Sequence, residues 1–206
     1  MKNRTCFAKF AKYVQVLIIL IFLQAGCSTT TGVKYYTLSG IQADKPRPIA
    51  MKAVTIGLGP VIFPGYLDRP QIVTRKSQNR VVLSEFNRWA GSFKEDFLRV
   101  LKRDLSMLLP SSDMVVKHPW TDKVSPDYQI LLTVSQFDGQ FGHSVVLTTE
   151  WSVWDKKNAH EILRKQTVVT EPLEADSYEA LVETQSRAIA ALSVIMVNSI
   201  AEKLSR

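Results

Sequence analysis

Cys27 is the residue of this 206-residue chain best suited to covalent chemistry. The other cysteine is Cys6. A thiolate is a strong nucleophile and takes alkyl or acyl groups readily. The histidines, His118, His143 and His160, have no metal-ligand spacing and fall in or near predicted loops, so surface or structural roles are expected and no metal site. Gly57-Leu58-Gly59 lacks the third glycine of a phosphate-binding loop and precedes no predicted helix. No Gly-x-Ser-x-Gly elbow occurs. No catalytic residue and no cofactor is therefore expected. Asp68 and Arg69 beside Pro70 could form a recognition loop; the blander alternative is a solvated turn with a local ion pair. Trp151 and Trp154, three apart on one predicted strand, point to opposite faces. Trp151 shares its face with Val145, Leu147 and Val153 and belongs to the core. Trp154 shares its face with Thr148, Glu150 and Ser152. A large aromatic on such a mixed face is covered by a helix or strand end, or by a neighbouring subunit. Trp154 is the candidate partner-binding residue.

What positions Cys27 is the segment before it. Met1–Lys12 carries Lys2, Arg4, Lys9 and Lys12 and no acidic residue, and Val14–Leu23 is apolar except for Gln15. Ala25 and Gly26 then lead into Cys27. This is the order of a secretory signal. The apolar run is about ten residues, whereas a spanning helix needs ~20, so a removable leader is expected over residues 1–26. Leu23-Gln24-Ala25-Gly26-Cys27 resembles a bacterial lipoprotein lipobox, with Gln24 where Leu is usual and Leu23 one place earlier. The resemblance implies diacylglycerol on the Cys27 sulfur and cleavage between Gly26 and Cys27. The alternatives are an uncleaved anchor, or ordinary secretion with a stray cysteine. Residues 27–33 then form the lipidated Cys and a polar tether, whose six residues after Cys27 reach about 20 Å. Ser28, rather than Asp, resembles the Gram-negative signal for export to the outer membrane.

The charge supports this division. The chain has 26 basic and 19 acidic residues, a net of +7. The leader holds four of the basic residues and none of the acidic ones, leaving 22 against 19, or +3. No basic run follows the leader, so nucleic acid is not an expected partner. Without Cys6, a chain lipidated at Cys27 has no internal disulfide. Its stability then rests on its core.

Residues 34–206 are expected to form one domain. Lys34–Leu38 reads as a first strand and Gln42–Ala50, with Pro46 and Pro48, as a loop. Ala53–Phe63 reads as a buried strand ending near Gly59, and Gly65–Pro70 as a turn or short helix. Gln71–Arg75 and Arg80–Leu83 form a hairpin. Phe86, Ala90, Phe93, Phe97, Leu101, Leu105 and Leu108 repeat every three or four residues, predicting a helix over Asn87–Leu109 stopped by Pro110. Met114–Val116 is a short strand. Alternation predicts strands at Tyr128–Ser135 and Val145–Trp154, joined through Phe137–Gly142; Leu163–Val169 is the third strand of the meander, closed by Pro172. Asp176 and Glu179 read as a capping box. Behind it Tyr178, Leu181, Val182, Ala188, Ile189, Leu192, Ile195, Met196, Ile200 and Leu204 form an amphipathic stripe. The stripes read as core rather than membrane-binding faces. The expected class is α/β, a single mixed sheet covered by two long helices, with the last three strands mostly antiparallel.

Several motifs, in this order and spacing, resemble the auxiliary lipoproteins of ABC-type and MCE transport systems, of the PqiC type. They are Cys27, Tyr35-Tyr36-Thr37-Leu38, Gly57–Pro60, Tyr66-Leu67-Asp68-Arg69-Pro70-Gln71-Ile72-Val73 and Phe86–Ala90 with Trp89-Ala90. The resemblance runs from Tyr35 to Leu204. It implies an anticodon-binding-like fold, as in the N-terminal part of TolB. It also implies a non-enzymatic outer-membrane lipoprotein on the periplasmic side, held to the membrane by its lipid anchor. The implied partner is an MCE tunnel protein of the PqiB type that moves phospholipid between membranes, and ring-shaped self-assembly is among the implied arrangements. A lipid-anchored periplasmic ligand-binding protein or enzyme is the alternative, because an apolar lipid pocket leaves no motif.

Overall fold

The structure is a computed structural model that describes residues 15, 32–40, 49, 51–111, 114–120 and 125–205. Cys27 and its lipobox lie outside the described residues. The folded unit begins at Val33. Its elements are β1 (Lys34–Tyr36), β2 (Ile56–Ile62), β3 (Gln71–Ser77), β4 (Arg80–Trp89), α1 (Phe93–Leu108), β5 (Val115–Lys117), β6 (Tyr128–Gly139), β7 (Ser144–Asp155), β8 (His160–Pro172) and α2 (Tyr178–Leu204).

The eight strands form one mixed sheet, and β6 is its hub. Along one edge β6 pairs antiparallel with β7, which pairs antiparallel with β8, with Leu132 opposite Trp151 and Leu147 opposite Val169. The short turns of this meander use Gly142 at φ 77° and Ala159 at φ 52°. The other edge of β6 is shared. Its first half pairs parallel with β2, which carries β5 outside it. Its last residue, Gly139, meets Thr74 of β3, and β3 carries β4 and then β1.

Alternation on the meander decides the layers. Val145, Leu147, Trp151 and Val153 are buried on one face together with Ile130, Leu132 and Phe137. The Trp151 indole N–H donates to Thr167 Oγ1 at 3.0 Å, so its polar atom is satisfied inside the core. Both helices pack on this face. α2 is long and apolar enough to cross a membrane by length and composition. Here Leu181, Ile189, Leu192 and Met196 are fully buried in the domain core instead. α1 contributes Phe93, Phe97, Leu101 and Leu105. Its aromatics form a cluster in which Phe93 stacks on Trp89 at 4.3 Å and Phe97 meets Phe63 edge-on at 5.1 Å.

Five expectations need correction. The helix predicted from Asn87 begins at Phe93, with Ser92 as its N-cap accepting from the Glu95 N–H at 3.3 Å. Asn87–Trp89 is strand, because it pairs with β1 and because the Trp89 N–H donates to Pro70 O at 2.7 Å. Phe86, placed on the helix stripe, is half exposed. The cap of α2 is Ser177, which accepts from the Ala180 N–H at 3.1 Å; Asp176 instead accepts from the Gly142 N–H at 2.5 Å, tying the β6–β7 turn to the helix start. Ile195 of the α2 stripe is exposed. Finally, β2 passes Gly59 and runs to Ile62, with a register shift between Leu58 and Val61 where Gly59 takes φ 108°.

Candidate functional site

Among the described residues no element packs over the face of the meander turned away from the helices, and this face is the candidate site. Thr148, Glu150, Ser152 and Trp154 of β7 lie on it, opposite Gln129, Leu131 and Thr133 of β6. Arg164 and Val168 of β8 and Ile62 of β2 complete it through their register with Ser152, Thr148 and Thr133. Ile62 is 61% and Val168 59% exposed, large values for β-branched apolar residues on a structured strand. Between β2 and β7 the surface dips into a hollow of about 220 Å3 lined by Ile62, Leu131, Glu150 and Arg164.

Arg164 is the centre of the charges on this face. Its guanidinium donates to Glu150 at 2.5 Å and to both Glu161 oxygens at 3.1 and 2.7 Å. The Glu161 carboxyl is held below the usual range by those Arg164 hydrogen bonds. The cation is thus neutralised locally, and the face is an apolar surface crossed by a satisfied polar bar. Trp154 lies half-buried at one end, between Gln129 and Glu161, with its indole N–H on Ser152 Oγ at 3.2 Å. It is on the face opposite Trp151, as the spacing predicts.

A second polar group at the other end of β6 was not found by sequence reasoning, which put Asp138 in a connecting loop. Asp138 is 1% exposed and accepts two hydrogen bonds from Arg75, at 2.8 and 2.7 Å. It also accepts from Tyr66 at 2.8 Å and Gln136 at 3.0 Å. Burial opposes its ionisation, but the hydrogen bonds from Arg75, Tyr66 and Gln136 and the Arg75 charge prevail and hold the carboxyl below its usual range. Burial, and then the bond to Asp138, pushes the Tyr66 phenol up to about 12. This cluster clamps the turn before β3 onto β6. Asp68 and Arg69 in the same turn do not form the local ion pair considered above.

A groove of about 580 Å3 lies at the start of α1 beside Trp89 and Ser92. Most of its charges are engaged: Lys117 pairs with Glu95, Arg99 with Asp96 at 2.5 Å, and Asp96 accepts from the Leu38 N–H at 2.6 Å, while Lys102 also lines the groove. His118, His143 and His160 stand apart on separate segments. Among the described residues no group of three or more His, Cys, Asp or Glu is placed to hold a metal ion.

Fold and surface together define a helix-backed sheet domain with one sheet face left uncovered by the described residues. Residues 36–197 match the family model described as ABC-type transport auxiliary lipoprotein component, well over half of the chain, and the chain belongs to this family. It is 26% identical over 128 residues to the intermembrane transport lipoprotein PqiC of Escherichia coli (strain K12). That match covers 62% of this chain and 66% of the relative, just under two thirds of its length. The Shigella flexneri PqiC matches to the same extent. Among solved structures, protein XCC0632 from Xanthomonas campestris is similar with a TM-score of 0.69 at 12% identity, covering 83% of this chain and 96% of that one. The crystal structure of an uncharacterized protein is similar with a TM-score of 0.68 at 20% identity, covering 82% and 99%. At these identities the two structures speak for the fold, a mixed sheet with two helices.

Proposed function

We propose that this protein is a non-enzymatic, lipid-anchored subunit of an MCE-type intermembrane phospholipid transport system. In this reading residues 1–26 are removed and Cys27 carries the acyl chains. The tether, residues 27–33, then holds the domain, residues 34–206, at the periplasmic face of the outer membrane. Each buried CH₂ contributes about 0.8 kcal/mol, so two or three chains make release negligible. The domain, of the kind seen in the N-terminal part of TolB, presents its surface to the end of a PqiB-type tunnel, alone or as a ring of copies. Membership of the transport auxiliary family and the likeness to PqiC support the pathway. The single observation that carries the docking role is the bare sheet face, where Ile62 and Val168 stand in solvent on either side of the Arg164–Glu150 pair. Apolar residues gathered on one sheet face suit a surface that a partner covers. The test is cross-linking from photoreactive groups placed at Ile62 and Val168 in intact membranes. Capture of an MCE protein at both positions, and not from a group at Glu174, is the expected outcome. Equal labelling at all three positions, or capture only of unrelated envelope proteins, rejects the docking role.

A further inference from the structure

We propose that a second patch, made of Val33, Tyr35 and Phe86 and edged by Arg69 and Arg88, sits in the interfacial layer of the lipid bilayer and sets the orientation of the anchored domain. The proposal rests on the reading of Cys27 as the acylated residue. Val33 is 40%, Tyr35 65% and Phe86 50% exposed. They are neighbours across two strands. β1 runs parallel to β4 with Lys34 opposite Asn87 and Tyr35 opposite Arg88. With a side-chain period of two, Val33 and Tyr35 share one face with Phe86 and Arg88. Tyr36 and Trp89 take the other face, where Trp89 stacks on Phe93.

Phe86 is held out by its backbone. It lies in an irregular stretch of the β3–β4 pairing, between the Val73–Leu83 and Gln71–Arg88 pairs. The Asn87 N–H and side-chain amide both donate to Ser84 Oγ, at 3.0 and 2.9 Å, and Arg88 donates to Glu85 O at 3.1 Å. A bulge so fixed re-aims a side chain. At the margin of the patch stand Arg88, paired with Glu85 at 3.8 Å, and Arg69. Arg69 precedes Pro70, whose carbonyl accepts from Trp89, and Gln71 pairs with Arg88. Arg69 forms no ion pair among the described residues, and its Nε is buried without a hydrogen-bond partner. A guanidinium left without a carboxylate suits a phosphate headgroup. Tyr and other amphipathic aromatics favour the headgroup level of a bilayer.

The occupant follows from the chain itself. Val33 is six residues beyond Cys27, so the patch lies within about 20 Å of the acylated sulfur even when the tether is fully extended. A bilayer surface is therefore always within reach of these residues.

The mature chain has Cys27 as its sole cysteine, and acylation blocks it. Tyr35→Cys, Phe86→Cys and, as reference, Val168→Cys each add one free thiol for a nitroxide. The acylated proteins are placed in vesicles of phosphatidylethanolamine and phosphatidylglycerol after confirming a melting temperature like that of wild type. Collisions with an aqueous nickel chelate at positions 35 and 86 are expected to be roughly fivefold rarer than at 168, and collisions with oxygen more frequent, as for groups buried in the headgroup boundary. Labels at 35 and 86 as open to nickel as 168, on protein that floats with the vesicles, overturn the proposal and leave the anchor standing. Protection that grows with protein density at constant lipid, without a rise in oxygen collisions, assigns the patch to a second copy and also overturns it. Protein that does not float with the vesicles removes the anchor, and this proposal falls with it.

Discussion

Asp138 joins three parts of the chain that are distant in sequence: β6, the end of β3 through Arg75 and the preceding turn through Tyr66. Its folded carboxyl titrates below the ordinary 3.8. The unfolded chain therefore binds this proton more readily, and the stability it contributes is present above about pH 4 and lost as pH falls through the lowered value. Asp138→Asn should flatten the acid limb of the stability curve and cost about 3 kcal/mol at neutral pH. That is the low end for a broken buried pair, because the Arg75 side chain is 22% exposed and keeps some water. Tyr66 has the opposite sign. Its phenol stays neutral up to about 12 in the folded state against 10.0 normally. Its contribution is full below pH 10 and is lost as pH rises from 10.0 to about 12. Chemical denaturation between pH 9 and 12 should show that loss in wild type and not in Tyr66→Phe. An unchanged alkaline slope in the variant would show that other groups cause it. Nothing in the sequence joins Tyr66, Arg75 and Asp138. Their partners are 63 and 72 residues away, and periodicity carries no information at that range.

The elements were more legible than the residues, because strands and helices have local periods. β6 and β7 follow the predicted alternation, and the α2 stripe is buried except at Ile195, which is exposed, and at Tyr178 and Leu204, which are half-buried. Asn87–Trp89 was misread because its spacing suits a helix, whereas hydrogen bonding to β1 and Pro70 makes it strand. At Gly139 the sheet lies close against α2. A Cβ there would lie 2.4 Å from Leu181 Cδ1 and 2.9 Å from Val145 Cγ2. Gly139→Ala should thus force α2 outwards or Leu181 into a poorer rotamer, at a cost of about 1–3 kcal/mol. Thermal unfolding checks this; a melting temperature equal to wild type would mean that Leu181 has room to move.

At the scale of the whole molecule, two positions test how the domain is held and what it holds. Cys27→Ala should abolish acylation, seen as loss of incorporated radiolabelled palmitate, and leave the far-ultraviolet circular dichroism of the domain unchanged, because Cys27 precedes the folded unit at Val33. Labelling that persists in the variant would place the lipid elsewhere. Trp154→Ala tests association. Interface tryptophans cost 2 kcal/mol or more when lost, so an assembly should weaken about thirtyfold or more. The light-scattering mass should move towards monomer while the monomer melts nearly as before, since the one hydrogen bond lost is that to Ser152. Constant mass with lower stability would make Trp154 an intramolecular contact.

The two apolar helix stripes, the alternating strands and the opposed directions of Trp151 and Trp154 were determined by the sequence alone. Each is a local property, set by a repeat of two or 3.6 residues. Tertiary structure decided which face of the alternating strands stays bare. Alternation defines two faces but does not say where the helices land, and both pack over Trp151 rather than Trp154. It also decided that β6 shares one edge between β2 and β3, that Asn87–Trp89 joins β1, and that Asp138 meets Arg75. Those outcomes depend on which distant strands pair and which buried polar groups find partners, and only the folded chain brings them together.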